Sequence, residues 1–215
     1  MDDLMNIFLI AILVLDIYIL GTSRLSAVIY ATILQGIILG ILPLTVHAED
    51  MTHHIILSVS VILSNVFLMP YLATQLIHKI HIRREVEPFI RFAPSMMIGM
   101  TMAFIGFWIA PYFQKILLIQ DFPRMLMPAA ITTTVSGFLI MASRRKAATQ
   151  VLGYLVMENG IFIWGLTLLD KMALLVELGV LLGIFMTVMV MATVCYRVYC
   201  QLGNLNVDEL SKLKG

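Results

Sequence analysis

Seven apolar runs, each about as long as a bilayer is thick, dominate the sequence. A transmembrane helix needs about 20 mostly apolar residues, and in lipid its backbone polar groups must bond within the helix. Short charged or turn-rich breaks separate the runs, which predict helices over 4–21, 25–46, 55–77, 92–113, 125–142, 150–169 and 173–196. The sequence therefore predicts an all-α polytopic membrane protein.

The composition supports this fold class and excludes others. Of the 215 residues, 60% are hydrophobic and 13% are charged, whereas a soluble domain has about 45–50% apolar and about 25% charged residues. A soluble enzyme, a disordered chain and a secreted disulfide scaffold are therefore excluded. Because the net charge is only +1, the lipid bilayer is an expected partner and nucleic acid is not.

The distribution of basic residues predicts the orientation. Cytoplasmic loops of membrane proteins are enriched in Lys and Arg. Eleven of the 14 basic residues lie in one alternating set of breaks and tails, and three lie in the other. This asymmetry predicts an N-terminus outside and a C-terminus in the cytoplasm, which requires an odd number of spans. We expect residues 1–215 to form a single integral membrane domain.

Acidic residues inside the predicted spans are candidates for function, because ionisable groups in hydrocarbon are costly. Three qualify by position, namely Asp16, Glu158 and Glu177. Asp16 either pairs with a polar group of a neighbouring helix or takes part in ion transfer. Glu177 lies about one turn into the last predicted span, where an interfacial acid and a relay member are both compatible with its position.

Glu158 is the best placed of these acids for a functional role. Gln150, Tyr154 and Glu158 repeat every four residues and so share one helix face, while Gly153 and Gly160 permit close approach of another helix. A buried carboxyl that can gain and lose a proton suits a proton relay. The alternative is a permanently protonated glutamic acid that hydrogen-bonds between helices.

Motifs for cofactors are absent from the sequence. The two cysteines, Cys195 and Cys200, have a spacing that matches no standard zinc or iron–sulfur framework. Nucleotide and haem motifs are also absent. We therefore expect this chain to bind no cofactor or metal and to have no catalytic residues of its own.

Two segments carry a resemblance to a known family. Residues 150–160 read QVLGYLVMENG, and residues 204–215 read NLNVDELSKLKG. With these segments the chain resembles, over essentially its whole length, the membrane component E of hydrogenase-4 complexes of the formate hydrogenlyase type. Residues 150–215 also resemble the small K subunit of respiratory complex I. This second resemblance divides the chain into five N-terminal helices over 1–149 and a K-like part with the last two helices and the tail.

The resemblance implies a role in energy conservation. Component E lies in the membrane arm of a [NiFe]-hydrogenase complex of a prokaryotic inner membrane, beside other membrane subunits that include antiporter-like ones. Nickel–iron and iron–sulfur centres are expected in partner subunits, so this chain is a non-catalytic subunit of an oxidoreductase. Glu158 matches the buried glutamate of the family motif and implies proton or sodium translocation, with Tyr154, Asp16 and Glu177 as further relay candidates.

One position departs from the resemblance. The K subunit has a second buried acid in its final helix, and equal spacing of the two tails places Thr187 there, ten residues after Glu177. Two alternative functions also stay open. The chain could be a subunit of a multi-subunit cation/proton antiporter, or a structural scaffold in the same membrane arm.

Overall fold

The structure is a computed structural model that describes residues 2–45, 51–63, 65, 90–117, 123–144, 147–166, 176, 178–190, 192 and 193. Over these ranges the protein is entirely helical, as the apolar runs predict. Seven α-helices are described. They are α1 (Asp2–Gly21), α2 (Leu25–Ile41), α3 (Met51–Ile62), α4 (Phe92–Leu117), α5 (Leu126–Ser143), α6 (Ala147–Leu166) and α7 (Leu178–Val190). A short 3-10 helix, Leu42–Thr45, continues α2.

Four of these helices have the length and composition needed to cross a membrane. They are the stretches Asp3–Gly21, Leu25–Thr45, Phe92–Lys115 and Leu126–Ser143. Helix α6 has a similar length, but Gln150, Glu158 and Asn159 make it more polar. Each predicted span contains one described helix, and the membrane location is clear. The count of seven spans and the outside N-terminus stay predictions.

Helix α4 is longer than predicted. The sequence predicts an end at residue 113, near Pro111, but α4 continues through Pro111 to Leu117. A proline inside a helix removes one backbone donor. Transmembrane helices tolerate this loss because neighbouring groups and local adjustments satisfy the freed carbonyl. Pro111 therefore lies inside α4, and the helix extends through Gln114 and Lys115, four residues past the predicted end.

Helix α5 lies at the centre of the bundle. It packs against α1, α4 and α6, and α2 packs against α1, α3 and α6. About two thirds of the α5 span (67%) is buried, against 17% of the α4 span. Large apolar side chains cover the outer face of α4, namely Met97, Met100, Phe104, Phe107, Trp108 and Tyr112. An apolar exterior of this kind is suited to lipid or to another membrane subunit.

Glycines set the separation of α5 and α6. A Cβ atom at Gly137 would overlap the backbone of Met157, and one at Gly160 would overlap the backbone of Thr134. Gly153 lies equally close to the backbone of Gly137 and Met141. The close approach predicted for Gly153 and Gly160 is therefore confirmed, and α5 is the helix that approaches.

A second pair of glycines joins α2 to α3. A Cβ atom at Gly36 would overlap Asn65, and one at Gly40 would overlap Ile62. The Ser58 hydroxyl donates a hydrogen bond of 2.5 Å to the Gly40 carbonyl oxygen. Small residues four apart are a frequent contact surface between membrane helices, because they let backbones meet.

We predict that Gly137→Ala destabilises the protein by about 1–3 kcal/mol, the usual cost of an overpacked core. Gly179→Ala is the matched control, since a Cβ atom there has nothing within 4 Å. The control should be neutral or slightly stabilising, because alanine favours the helix. Thermal unfolding of the purified chain in detergent measures both. Equal behaviour of the two variants would contradict the close α5–α6 contact.

Candidate functional site

A layer of buried polar side chains crosses the middle of the bundle. The buried apolar residues form two separate clusters, and α1, α2, α5 and α6 each contribute to both. In each of the four helices at least one buried polar residue lies between the positions that belong to the two clusters. We call these intervening residues the polar layer; it comprises Asp16, Thr32, Gln35, Thr132, Thr133, Ser136 and Asn159.

Asp16 is at the centre of the polar layer and is completely buried. The Gln35 side-chain amide donates a hydrogen bond of 2.8 Å to its Oδ1 atom. The Thr133 hydroxyl donates a hydrogen bond of 2.6 Å to its Oδ2 atom. Asp16 therefore pairs with polar groups of two neighbouring helices, which is one of the two expectations stated for it. These bonds join α1, α2 and α5.

Several polar atoms of the layer have no hydrogen-bond partner among the described residues. They are Gln35 Oε1, Thr132 Oγ1, Ser136 Oγ and both amide atoms of Asn159. Buried polar atoms in native proteins are nearly always bonded to protein or to ordered water. The polar layer is thus able to bind water molecules or a small polar ligand.

Asn159 lies opposite the part of α5 between Thr134 and Gly137, because Gly160 meets Thr134 and Met157 meets Gly137. Its neighbour in the chain, Gly160, contacts Thr134 on α5, and this contact brings the two helices into register at that level. Asn159 is 1% exposed. It also borders the cleft that contains Glu158. One residue of α6 therefore connects the polar layer to the cleft.

Glu158 forms a separate polar site between α6 and α7. The Thr187 hydroxyl lies 2.5 Å from Glu158 Oε2 and 2.9 Å from the Gly183 carbonyl oxygen. Gly183 leaves room for the carboxyl group, since a side chain there would meet Glu158 Oε1. Tyr154, one turn away on α6, lies close enough to interact with Glu158 and Thr187.

The contacts of Thr187 accommodate both forms of Glu158. A hydroxyl group has one donor hydrogen and can also accept. Toward an ionised Glu158, Thr187 donates its hydrogen to the carboxylate. Toward a protonated Glu158, Thr187 accepts that proton's hydrogen bond and donates its own hydrogen to Gly183. The site therefore holds a carboxyl group in either state with little rearrangement.

A cleft of about 630 Å³ lies beside Glu158. Apolar side chains form most of its walls, with Phe113 of α4 and Trp164 of α6 packed edge to face at 5.6 Å. The polar residues that line it are Asn65, Tyr154, Glu158 and Asn159. Glu158 thus borders an open space within the bundle, which is required of a group that exchanges ions.

The predicted shared face of α6 is realised in part. Tyr154 and Glu158 line the cleft, whereas Gln150 donates a hydrogen bond of 2.9 Å to the Arg144 carbonyl oxygen. Arg144, predicted in a cytoplasmic loop, is only 3% exposed. Its guanidinium lies 4.5 Å above the Phe92 ring and donates to the Leu20 carbonyl oxygen.

Of the four relay candidates, the structure brings Glu158 and Tyr154 together and places Asp16 in the polar layer. Glu177 lies outside the described residues. Thr187 contacts Glu158. It occupies the position that equal spacing of the two tails assigns to the second buried acid of the K subunit. Gln35, Thr133 and Asn159 were not predicted. The sequence signal that could have identified these three residues is a polar residue in the middle of an apolar run. Within the described part of the chain, no group of three or more His, Cys, Asp or Glu residues could hold a metal ion.

The chain is similar in sequence to component E of hydrogenase-4 and to an uncharacterized protein. The chain is 29% identical over 164 residues to hydrogenase-4 component E of Escherichia coli K12, and the alignment covers 75% of this chain and 74% of that protein. The component E of Shigella flexneri matches to the same extent. An uncharacterized protein of Mycobacterium tuberculosis is 24% identical over 202 residues, covering 93% of this chain and 90% of that protein.

No protein-family model matches the chain, and no solved structure matches it. The similarity to hydrogenase-4 component E confirms that part of the predicted resemblance. The resemblance of residues 150–215 to the complex I K subunit stays a prediction.

We predict that Thr187→Val lowers the free energy of unfolding by about 0.5–1.5 kcal/mol, the net contribution of a typical hydrogen bond, because the half-buried Glu158 carboxyl group loses this partner. Thr193→Val is the matched control. The Thr193 hydroxyl is exposed, and its bond in the described part of the chain is to the Met189 carbonyl oxygen four residues earlier. Thermal unfolding in detergent should separate the two variants. If Thr187→Val behaves like Thr193→Val, the bond between α6 and α7 does not contribute to stability.

Proposed function

We propose that this chain is a membrane-arm subunit of a hydrogenase-like complex and that it contributes a carboxylate, half-buried between two helices, to ion translocation. The observation that carries the proposal is Glu158, which borders a cleft and contacts Thr187 and Tyr154. The similarity to hydrogenase-4 component E supports the type of complex. The chain itself acts without a redox centre, and its partner subunits hold the nickel–iron and iron–sulfur centres.

The proposed step is uptake and release of a proton by Glu158. A proton reaches the carboxyl group from the cleft, and Thr187 changes from donor to acceptor as the carboxylate is neutralised. Tyr154 supplies a further hydroxyl group beside this pair. Moving one charge across 100 mV requires about 2.3 kcal/mol. The redox state of a partner subunit must therefore control when Glu158 loses its proton.

The proposal extends to two other acids and to the location. Asp16 is a second relay member, reached through Asn159, and Glu177 is a third, near the outer end of the last predicted span. The location is the inner membrane of a prokaryote, with antiporter-like subunits among the neighbours. Residues 150–215 would form the K-like part of the subunit, and 1–149 would surround it.

A scaffold role is the second candidate function, and one observation favours it. The Glu158–Thr187 contact joins α6 to α7, so the carboxyl group could serve only to hold the two helices together. In that case a change at Glu158 would impair assembly rather than ion transfer.

We predict that Glu158→Gln assembles normally but loses most of the ion pumping that accompanies turnover. Glutamine has the same shape and keeps a hydrogen bond to Thr187, but it cannot release a proton. Ion uptake by membrane vesicles, measured during turnover, tests this. Asp3→Asn is the matched control, since this exposed acid lies at the start of α1. Undiminished pumping would refute the relay, and failure to assemble would favour the scaffold.

We expect purification of the full chain in mild detergent to recover a nickel-containing large subunit together with other membrane subunits. Mass spectrometry and metal analysis of the purified complex identify them. Recovery of antiporter-like subunits alone, with no nickel, would instead indicate a multi-subunit cation/proton antiporter.

A further inference from the structure

We propose that the polar layer contains a binding site for one monovalent cation, a proton or Na⁺, held by Asp16 with Gln35 and Thr133. The proposal deepens the function proposed above, on which its part in ion transfer rests. It concerns a site distinct from Glu158, on different helices and outside the cleft.

The first argument is charge. Asp16 is fully buried, and its two described hydrogen bonds come from neutral groups. An ionised carboxylate inside hydrocarbon is costly unless a cation neutralises it. No Lys, Arg or His occurs in the sequences of α2 and α5, the two helices that supply its partners.

The other helix packed against α1 supplies no cation at this level either. Helix α4 carries one basic residue, Lys115, in its last turn, and its titratable Tyr112 is exposed. The tyrosines Tyr30 of α2 and Tyr18 of α1 are 73% and 53% exposed. Arg144, directly after α5, is buried, and its guanidinium donates to the Leu20 carbonyl oxygen on α1. The described hydrogen bonds of the Asp16 carboxyl group come from neutral groups, and we propose that a small cation neutralises it.

The second argument is an unused acceptor at the site. Gln35 is fully buried, and its Nε2 atom is bonded to Asp16. The other amide atom, Oε1, belongs to the same planar group and lacks a partner in the described structure. Asp16, Gln35 and Thr133 together offer only oxygen atoms to a cation. Carboxylate, carbonyl and hydroxyl oxygens are the ligands of hard cations.

The third argument is the connection to Glu158. Asn159 is buried opposite the α5 stretch that contains Ser136 of the polar layer, has two amide atoms without partners among the described residues, and borders the cleft. A water molecule bonded to Asn159 would bridge the cleft and the polar layer. The cation at Asp16 would then exchange with Glu158 rather than directly with either side of the membrane.

The experiment uses the full chain in its intact membrane complex and compares wild type with Asp16→Asn. Infrared difference spectra detect a protonated carboxyl group, and thermal unfolding in NaCl or choline chloride detects Na⁺ binding. We expect one of two signals in wild type. Either a carboxylic acid band is lost in Asp16→Asn, which identifies a proton, or a stabilisation of several degrees by Na⁺ is lost, which identifies sodium. Neither signal in wild type, or signals unchanged in Asp16→Asn, would overturn the proposal.

Two further variants complete the test. Thr133→Val keeps the carboxyl group and removes one hydrogen bond, so it should shift the acid band or weaken Na⁺ affinity several-fold. Thr133→Val replaces Asp16→Asn in the test if Asp16→Asn does not fold. An unchanged acid band and an unchanged Na⁺ affinity in Thr133→Val would overturn the proposed site. Glu158→Gln should keep the Asp16 signal. Pumping that survives in Glu158→Gln would refute the proposed function and leave the Asp16 site standing.

Discussion

The hydrogen bonds of Asp16 are the interaction on which the bundle depends. Gln35 and Thr133 reach the carboxyl group from α2 and α5, so three helices meet at one buried point. In lipid, apolar contacts between helices are nearly interchangeable with apolar contacts to lipid tails. Polar groups in lipid need a specific hydrogen-bond partner, because burying one without a partner costs free energy. The polar layer therefore determines the register in which α1, α2 and α5 pack, and the two apolar clusters fill the space on either side of it.

Helix α6 joins this layer to the second polar site. Successive residues of an α-helix point about 100° apart, so Glu158, Asn159 and Gly160 face three different neighbours. Glu158 contacts α7, Asn159 faces the buried interior, and Gly160 contacts α5. The glycines let α6 approach α5 closely, and this approach brings Asn159 opposite the part of α5 between Thr134 and Gly137. A three-residue stretch thus combines a titratable group, an amide and a packing surface.

Much of the fold and part of the site are predictable from the residues. Where the structure describes a helix end, the apolar runs place it to within a few residues, and the low charge makes Glu158 and Asp16 conspicuous. The predicted end of α4 is four residues too early because the polar residues Gln114 and Lys115 end the apolar run but not the helix, which continues to Leu117. Gln35, Thr133 and Asn159 escape prediction because a neutral polar residue in an apolar run is compatible with many local roles. Only a buried partner distinguishes these roles.

The sequence by itself determined that the chain is helical, lies in a membrane and has few acids inside its spans. These properties follow from composition and order along the chain, which do not depend on how helices meet. Only the tertiary structure decided that Asp16 and Glu158 belong to two separate sites, and that Thr187 of α7 bonds to Glu158. The physical reason is that hydrogen bonding requires atoms within about 3 Å of each other. Residues 29 or 117 positions apart come this close only through the packing of whole helices.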